Sequence, residues 1–180
     1  QCLRDTSGLL IGYTDAAGHT TRYQYGLRGQ VHQRVDAHGR QIKFRYDAYG
    51  RLQTLTNENG ERYRFAWDQG DRLVEQQDLD GSARRYAYDV LDNMATVEYV
   101  PLNDAPSIVH HLARDAVGRL LLKQTDDGCT EYAYDPLDQL TTVTFTGNDE
   151  TTQALAFTYD PLGQLLTEQS AAGSLNHHYD

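Results

Sequence analysis

Residues 44–52, with the sequence FRYDAYGRL, contain the pattern on which the fold of this chain depends. The aromatic residues Phe44 and Tyr46 are separated by one polar residue, which is the two-residue period of a β-strand. Residues 47–50 then have the form Asp-x-x-Gly, in which the aspartate side chain caps a tight turn and the glycine accepts a positive φ. A return strand follows over 51–56, and a second turn of the same chemistry over 57–60. This stretch therefore predicts a β-hairpin unit with a turn at each end.

The unit recurs along the chain. In the first half, the residues that open the turn after each aromatic pair are separated by 21 residues; they are Asp5, Gly26, Asp47, Asp68 and Asp89. The turn glycines keep the same interval; they are Gly18, Gly39, Gly60 and Gly81. In the second half, the intervals vary between Asp115, Asp135, Asp160 and Asp180. We therefore predict a single array over residues 1–180, with lengthened hairpin loops near 100–108 and 147–153, since connections tolerate insertions where strands do not.

The fold class predicted from this repeat is all-β, an antiparallel ribbon of β-hairpins. About eight units with two strands each give about sixteen strands, and open twisted sheets rarely exceed about 10 strands without curling. We therefore expect the ribbon to curve or spiral. Its two end strands would have unpaired edges, which indicates a slice of a longer array.

The composition fits a thin sheet better than an ordinary globular core. Hydrophobic residues make up 39% of the chain, mean hydropathy is -0.68, and there are 13 Tyr against 4 Phe and 1 Trp. Tyrosine suits a sheet face that is partly buried and partly exposed to solvent, because its ring packs while its hydroxyl binds water or another partner. The net charge of -10 disfavours nucleic acid as a partner, and no apolar run is long enough for a membrane span. Two cysteines are too few for a disulfide framework.

The combined pattern resembles the YD-repeat family, also called RHS repeats. Residues 44–52 with the turn at 57–60 match it best, and residues 132–135 and 157–165 match it well. Two units are degraded, with Asp71 and Asp92 in place of the turn glycine. The motif positions expected to be structural are Tyr46, Asp47, Gly50, Arg51, Leu52, Gly60, Trp67, Asp68, Tyr88, Asp89, Asp115, Gly118, Tyr134, Asp135, Tyr159, Asp160 and Gly163.

This resemblance implies a function as well as a fold. In such proteins a long β-ribbon forms a hollow shell around a C-terminal toxin, in bacterial polymorphic toxins (including type VI secretion effectors) or insecticidal toxin complexes, and teneurins use a related shell for adhesion. The implied partners are the rest of the shell and the enclosed toxin or effector domain, and the implied location is secreted or delivered from a bacterial cell. Residues 160–163 resemble the family's self-cleavage motif, but Gln164 follows them, which favours an ordinary turn.

The candidate chemical sites are better explained as parts of the repeat. The pairs Asp78/Asp80 and Asp126/Asp127 fall in turns, and the adjacent pairs His110/His111 and His177/His178 point to opposite faces of a strand. His177 occupies an aromatic slot and is expected to pack, and Cys129 is expected to be a structural thiol. We expect no enzyme activity, no catalytic residues, no cofactor and no metal site.

Two further expectations concern the surface. Arg51, Arg72 and Arg119 recur at one register, so they are expected to pair with acidic residues of neighbouring units. The rival function from a different class is a carbohydrate-binding or adhesive module, in which aligned tyrosines offer stacking platforms. The rings named for that role are Tyr23, Tyr86 and Tyr132.

Overall fold

The computed structural model describes residues 1–179; Asp180, the last landmark of the repeat, lies outside the described residues. The described chain forms 17 β-strands, one more than the approximate count from the sequence, and it contains no helix that could cross a membrane. The strands are β1 (Cys2–Arg4), β2 (Leu10–Thr14), β3 (Thr20–Tyr25), β4 (Val31–Val35), β5 (Gln41–Tyr46), β6 (Leu52–Thr56), β7 (Arg62–Trp67), β8 (Leu73–Gln77), β9 (Ala83–Tyr88), β10 (Met94–Val100), β11 (Ile108–Arg114), β12 (Leu120–Thr125), β13 (Gly128–Tyr134), β14 (Leu140–Gly147), β15 (Thr152–Tyr159), β16 (Leu165–Ser170) and β17 (Gly173–Asn176).

The chain divides into two compact units. Unit 1 contains residues 1–85 and 101–105, and unit 2 contains residues 86–100 and the chain from Pro106 onward. In unit 1 each strand pairs antiparallel with the next, from β1 to residues 83–85 of β9. In unit 2 the same sequential pairing runs from β9 and β10 to β17. The all-β, antiparallel hairpin fold predicted from the repeat is thereby confirmed.

The hairpins at the two edges of the ribbon differ in register. In the hairpin β5–β6, Arg45 pairs with Thr54 but Tyr46 pairs with Leu52, so Gln53 is an extra residue in the return strand. The same one-residue bulge occurs in β1–β2, β3–β4, β7–β8, β11–β12, β13–β14 and β15–β16. The hairpins closed at the opposite edge keep an unbroken register. Bulges increase the local twist, so each repeat contains one strongly twisted hairpin and one regular hairpin.

The turn geometry follows from the Asp-x-x-Gly sequence. The backbone N–H of Asp47 donates to the carbonyl of Arg51 (2.9 Å), and that of Gly50 donates to the carbonyl of Asp47 (3.1 Å). The Asp47 carboxylate Oδ1 accepts from the N–H groups of Tyr49 (2.9 Å) and Arg51 (3.0 Å). Gly50 has a φ of 91°, a conformation that costs a residue with a Cβ roughly 1–2 kcal/mol. The same pair of backbone bonds recurs at both edges of the ribbon.

The two insertions lie in different environments. The connection between β10 and β11 is residues 101–107, and Leu102 packs toward the Gly81 turn within unit 1. The second insertion extends the strands themselves, since β14 and β15 have 8 residues each and the connection between them is residues 148–151. Longer strands pair over more residues, so this extra sequence is ordered as β-structure.

The interior of the ribbon is thin. Val97, at 9% exposure, is the only hydrophobic residue classed as buried among residues 1–179. Exposure alternates along the strands: in β7, Tyr63, Phe65 and Trp67 are half-buried while the residues between them are exposed. The aromatic residues of this strand therefore share one face of the sheet, as the two-residue period indicates.

Replacing Gly39 with alanine tests the turn geometry. Gly39 has a φ of 78° and nothing within 4 Å of the position of a Cβ, so the substitution adds backbone strain without a clash. We expect Gly39→Ala to lower the free energy of unfolding by about 1–2 kcal/mol in urea titration. The control is Gly26→Ala, at the first position of its turn, where a Cβ meets the Gln30 carbonyl at an ordinary 3.9 Å. The control should change stability by less than about 0.5 kcal/mol; equal losses for both variants would contradict this account.

Candidate functional site

In most repeats, the second aromatic residue donates a hydrogen bond to the preceding hairpin, whereas Arg4 and Arg114 occupy this slot elsewhere. The Tyr46 hydroxyl donates to the carbonyl of Val31 at 2.8 Å, and Val31 opens the return strand of the preceding hairpin. Equivalent bonds are Tyr25 to Leu10 (2.7 Å), Trp67 Nε1 to Leu52 (2.8 Å), Tyr134 to Leu120 (3.0 Å) and Tyr159 to Leu140 (2.8 Å). The motif aromatics are thus donors as well as packing groups.

The carbonyl that accepts this bond lies at the β-bulge. Leu52, which accepts from Trp67, is the residue whose pairing with Tyr46 follows the shift in register. A bulge disrupts the ladder locally, so backbone groups there need other partners. Burial raises the pKa of Tyr46, which keeps that hydroxyl protonated as a donor. The indole N–H of Trp67 supplies the same donor from the same slot, which explains why Trp substitutes for Tyr in that repeat.

Arginines after the turns form a second link between repeats. Arg51 Nε donates to Asp47 of its own turn (2.7 Å), and its Nη1 donates to Asp71 of the next repeat's turn (2.8 Å) and to the carbonyl of Asp68 (2.8 Å). In unit 2, Arg119 makes the matching pair of contacts, to Asp115 (2.6 Å) and Asp138 (2.5 Å). An ion pair with an aspartate of the neighbouring repeat is therefore observed for Arg51 and Arg119.

Aspartate replaces the turn glycine at Asp71, Asp92 and Asp138, which have φ values of 61°, 64° and 65°. The degraded repeats therefore keep the turn shape, because aspartate tolerates the left-handed region better than most residues. Asp71 and Asp138 are also the acceptors of the arginine links from the preceding repeats. The replacement thus exchanges the conformational freedom of glycine for a bond between repeats.

Hydrogen bonds within the turns lower the pKa of several aspartates. The backbone N–H of Arg72, with its guanidinium, holds the pKa of Asp68 below the usual 3.8, and the N–H of Asn93 does so for Asp89. A group whose pKa is lower in the folded chain stabilises the fold above its unfolded pKa. That contribution is lost as pH falls through the folded-state pKa. The turns are therefore expected to weaken in acid.

Other motif positions have the backbone conformation and the hydrogen bonds that the repeat predicts. Gly60, Gly118 and Gly163 have positive φ values of 86°, 91° and 82°. Asp135 and Asp160 accept the same two backbone N–H bonds as Asp47.

The residues considered for chemistry are separated. No group of three or more His, Cys, Asp or Glu side chains within residues 1–179 is arranged to hold a metal ion. Asp78 accepts from the side chains of Gln76 (2.7 Å) and Arg84 (3.1 Å) in the flanking strands, and Asp80 accepts from Ser82 (2.9 Å), so both carboxylates are engaged in local hydrogen bonds. Cys2 and Cys129 are free thiols, exposed and half-buried respectively.

Two expectations about side chains gain detail from the structure. His177, in its aromatic slot, hydrogen-bonds Glu168 through Nε2 at 3.0 Å, a polar contact that the sequence did not indicate. The rings named as sugar platforms, Tyr23, Tyr86 and Tyr132, are all half-buried on the aromatic face. Each of these rings is therefore only partly accessible to a ligand.

Comparison with known proteins agrees with this geometry. The model of the family described as Teneurin YD-shell matches residues 2–180. The chain belongs to this family. No curated protein sequence gives a significant match.

Solved structures of Tc toxin proteins share the fold of this YD-shell chain. A structure of TcdB2-TccC3 has a TM-score of 0.76 at 16% identity; the matched region is 97% of this chain and 12% of the TcdB2-TccC3 chain. A TcdB2-TccC3-Cdc42 structure has a TM-score of 0.73 at 18% identity; the matched region is 88% of this chain and 9% of that chain. The Photorhabdus luminescens Tc holotoxin pore has a TM-score of 0.72 at 19% identity, with coverage of 88% and 9%. The YD-shell chain thus spans about a tenth of those chains.

Removing the Tyr46 hydroxyl tests the bond between repeats. We expect Tyr46→Phe to lower the free energy of unfolding by about 1 kcal/mol, because the Val31 carbonyl loses its donor. The matched control is Tyr49→Phe, since Tyr49 is 82% exposed. Urea unfolding followed by circular dichroism measures both. A loss at Tyr49 as large as that at Tyr46 would show that the hydroxyl bond is not the cause.

The lowered aspartate pKa values predict acid sensitivity. We expect the free energy of unfolding to fall as the pH drops below 3.8 and through the folded-state pKa values of Asp15, Asp68 and Asp89. Asparagine keeps the acceptor but does not titrate, so the variant Asp15→Asn with Asp89→Asn should lose less stability between about pH 7 and about pH 2.5 than the wild-type chain. Urea titrations at several pH values measure the slope; identical slopes would contradict the assignment.

Proposed function

We propose that this chain is a wall segment of a YD-repeat shell that encloses a C-terminal toxin or effector domain until delivery. The observation that carries the proposal is the match to the teneurin YD-shell family over residues 2–180. The fold shared with TcdB2-TccC3 supports it. One of the related structures is described as TcdB2-TccC3 without hypervariable C-terminal region, so a variable C-terminal segment accompanies this fold in that protein.

The contacts between repeats suit a wall. Neighbouring hairpins are joined by the strand ladder, most of them also by the aromatic donor, as at Tyr46, and some by an arginine link, as at Arg51. None of these bonds requires a second layer. An array fastened this way can lengthen by adding repeats, each contacting only its neighbours.

The partners and location follow from the same proposal. The partners are further segments of the shell and the enclosed domain, and the shell acts outside the bacterial cell that makes it. Two delivery routes fit this role, a toxin complex and a type VI secretion effector. The structural relatives favour the toxin complex, because their descriptions name Tc proteins.

The wall itself is proposed to be passive rather than enzymatic. Among the described residues, the carboxylates that looked most like a catalytic pair have local hydrogen-bond partners: Asp78 accepts from the Gln76 side chain and Asp80 from the Ser82 backbone. Hydrolysis of glycosidic, ester or peptide model substrates by the 180-residue chain, lost on substitution of one residue, would overturn this part of the proposal.

Limited proteolysis of the longer protein tests enclosure. The open reading frame that carries these repeats is expected to encode more repeats on at least one side and a C-terminal domain unlike the repeats. In the intact protein, we expect that domain to resist a protease that cleaves it rapidly when it is expressed alone. Weakening the wall with Tyr46→Ala and Tyr134→Ala removes two bonds between repeats and should expose the domain.

The control for this experiment is Tyr49→Ala, which changes an exposed ring that does not join repeats. It should leave the C-terminal domain protected. A domain cleaved equally fast in the intact protein and alone would refute enclosure, as would a reading frame that ends shortly after residue 180.

A further inference from the structure

Two histidine side chains of neighbouring repeats meet at one edge of unit 1. His19 follows the turn at residues 15–18, and His38 is the third residue of the turn at residues 36–39. Their ring centroids lie 6.4 Å apart, with an angle of 27° between the ring planes. Both side chains are exposed, so the rings are open to solvent and to dissolved ions.

The repeat does not require a histidine at either position. The backbone N–H of His19 donates to Asp15, and that of His38 donates to Asp36, which are contacts that any side chain but proline permits. At the same edge, the third turn position is otherwise Ala17, Asn59 or Asp80, and the residue after the turn is otherwise Arg40, Glu61 or Ser82. The two imidazole rings are therefore unexplained by the fold.

The carboxylate of Asp15 orients the His19 ring. Its Oδ1 accepts from the backbone N–H groups of Ala17 and His19, both at 2.9 Å, which holds the carboxylate in place. Its Oδ2 lies 3.2 Å from Nδ1 of His19. When Nδ1–H donates to this oxygen, the neutral ring has its lone pair on Nε2. Carboxylates bonded to histidine in this way orient the histidine ligands of metal sites.

The separation of the two rings fits coordination of one ion by both. A Zn–N bond is about 2.0–2.1 Å long, so the centroids of two imidazoles bound to one Zn²⁺ lie about 5–6.5 Å apart. The observed 6.4 Å falls at the upper end of this range. A small rotation of the two exposed rings about their side-chain bonds therefore brings a nitrogen of each to the same ion.

We propose that His19 and His38 together bind a Zn²⁺ ion, with water in its remaining coordination positions. Imidazole is a ligand that Zn²⁺ accepts readily, whereas Mg²⁺ and Ca²⁺ prefer oxygen. No metal site was expected from the sequence, in which 19 residues separate the two histidines. With two protein ligands, this site is smaller than the groups of three or more that are absent from residues 1–179.

The bound ion would join two repeats at the edge where arginine links are not made. The links from Arg51 to Asp71 and from Arg119 to Asp138 connect turns of the bulged hairpins. The turns before His19 and around His38 close hairpins of unbroken register, at the opposite edge. Zn²⁺ therefore stabilises the junction of two repeats. This site is independent of whether the shell encloses a cargo.

Titration of the 180-residue chain with Zn²⁺ tests the proposal. Isothermal titration calorimetry should show one site with a Kd of about 1–100 μM, since two ligands supply about half the binding free energy of a four-ligand structural site. At free Zn²⁺ about ten times the Kd, the thermal midpoint followed by circular dichroism should rise by about 3–6 °C. Mg²⁺ at the same concentration should leave the midpoint unchanged.

Variants of single residues locate the ion. We expect His19→Gln and His38→Gln each to weaken Zn²⁺ binding at least about tenfold and to abolish the rise in thermal midpoint. Midpoints without metal confirm that both variants fold. The controls are His32→Gln, which removes another exposed histidine of unit 1, and Cys2→Ser, which removes an exposed thiol. Both controls should bind Zn²⁺ like the wild-type chain.

Four outcomes would overturn the proposal. The first two are the absence of saturable Zn²⁺ binding and unchanged affinity in either His19→Gln or His38→Gln. The third is a loss in His32→Gln or Cys2→Ser as large as that in His19→Gln, which would place the ion elsewhere. The fourth is an equal rise in midpoint with Mg²⁺, which would show a general effect of divalent ions on an acidic chain. None of these outcomes bears on enclosure, which the proteolysis of the longer protein tests separately.

Discussion

The hydrogen bond from the second aromatic residue of one repeat to a backbone carbonyl of the preceding repeat is the interaction on which this structure depends. Val97 is the only hydrophobic residue classed as buried in the described chain, so apolar side chains are half-buried on a sheet face rather than enclosed in a core. Strand pairing joins neighbours but leaves a bulge in each twisted hairpin. The aromatic donor, as in Tyr46 to Val31, bonds at this weak point, so it stabilises both the hairpin and its junction.

The turn aspartate has a comparable double role. In the turn at Asp47, one carboxylate oxygen accepts two backbone N–H groups, and the other accepts from Arg51, which then reaches the next repeat. Closing a hairpin and linking it to its neighbour are thus coupled through one side chain. Where aspartate also replaces the turn glycine, as at Asp71, the strained backbone is tied by that same link. Removal of a hydrogen bond in one turn therefore destabilises the adjoining repeat as well.

The sequence sufficed for those features that depend on short-range patterns. Alternation in Ile42, Phe44 and Tyr46 indicates a strand and a shared face, and Asp-x-x-Gly indicates the turn and its positive φ. The bond from Tyr46 was not predictable in this way, because Val31 lies 15 residues earlier and alternation does not specify which distant carbonyl a hydroxyl meets. The sequence did contain one hint of this bond, at Trp67, where other repeats have tyrosine. The two side chains differ in shape, but each carries a hydrogen-bond donor, N–H in tryptophan and O–H in tyrosine. The exposure of Tyr49 needed the structure, because its turn position has no fixed side-chain role.

The freedom of that third position explains how a repetitive wall can carry specific surfaces. The first turn residue caps, the fourth takes the left-handed conformation, and the third contributes its backbone N–H to the cap, as Tyr49 does to Asp47. Its side chain projects from the edge whatever it is: Val117, Leu137 and Leu162 are 74%, 75% and 86% exposed. At one such position the side chain does join repeats, because the Arg28 guanidinium donates to the carbonyl of Ala48 in the next turn. The exposed chemistry of such a wall can therefore vary from repeat to repeat, because the side chain at this position is not needed for the cap or for the positive φ of its own turn.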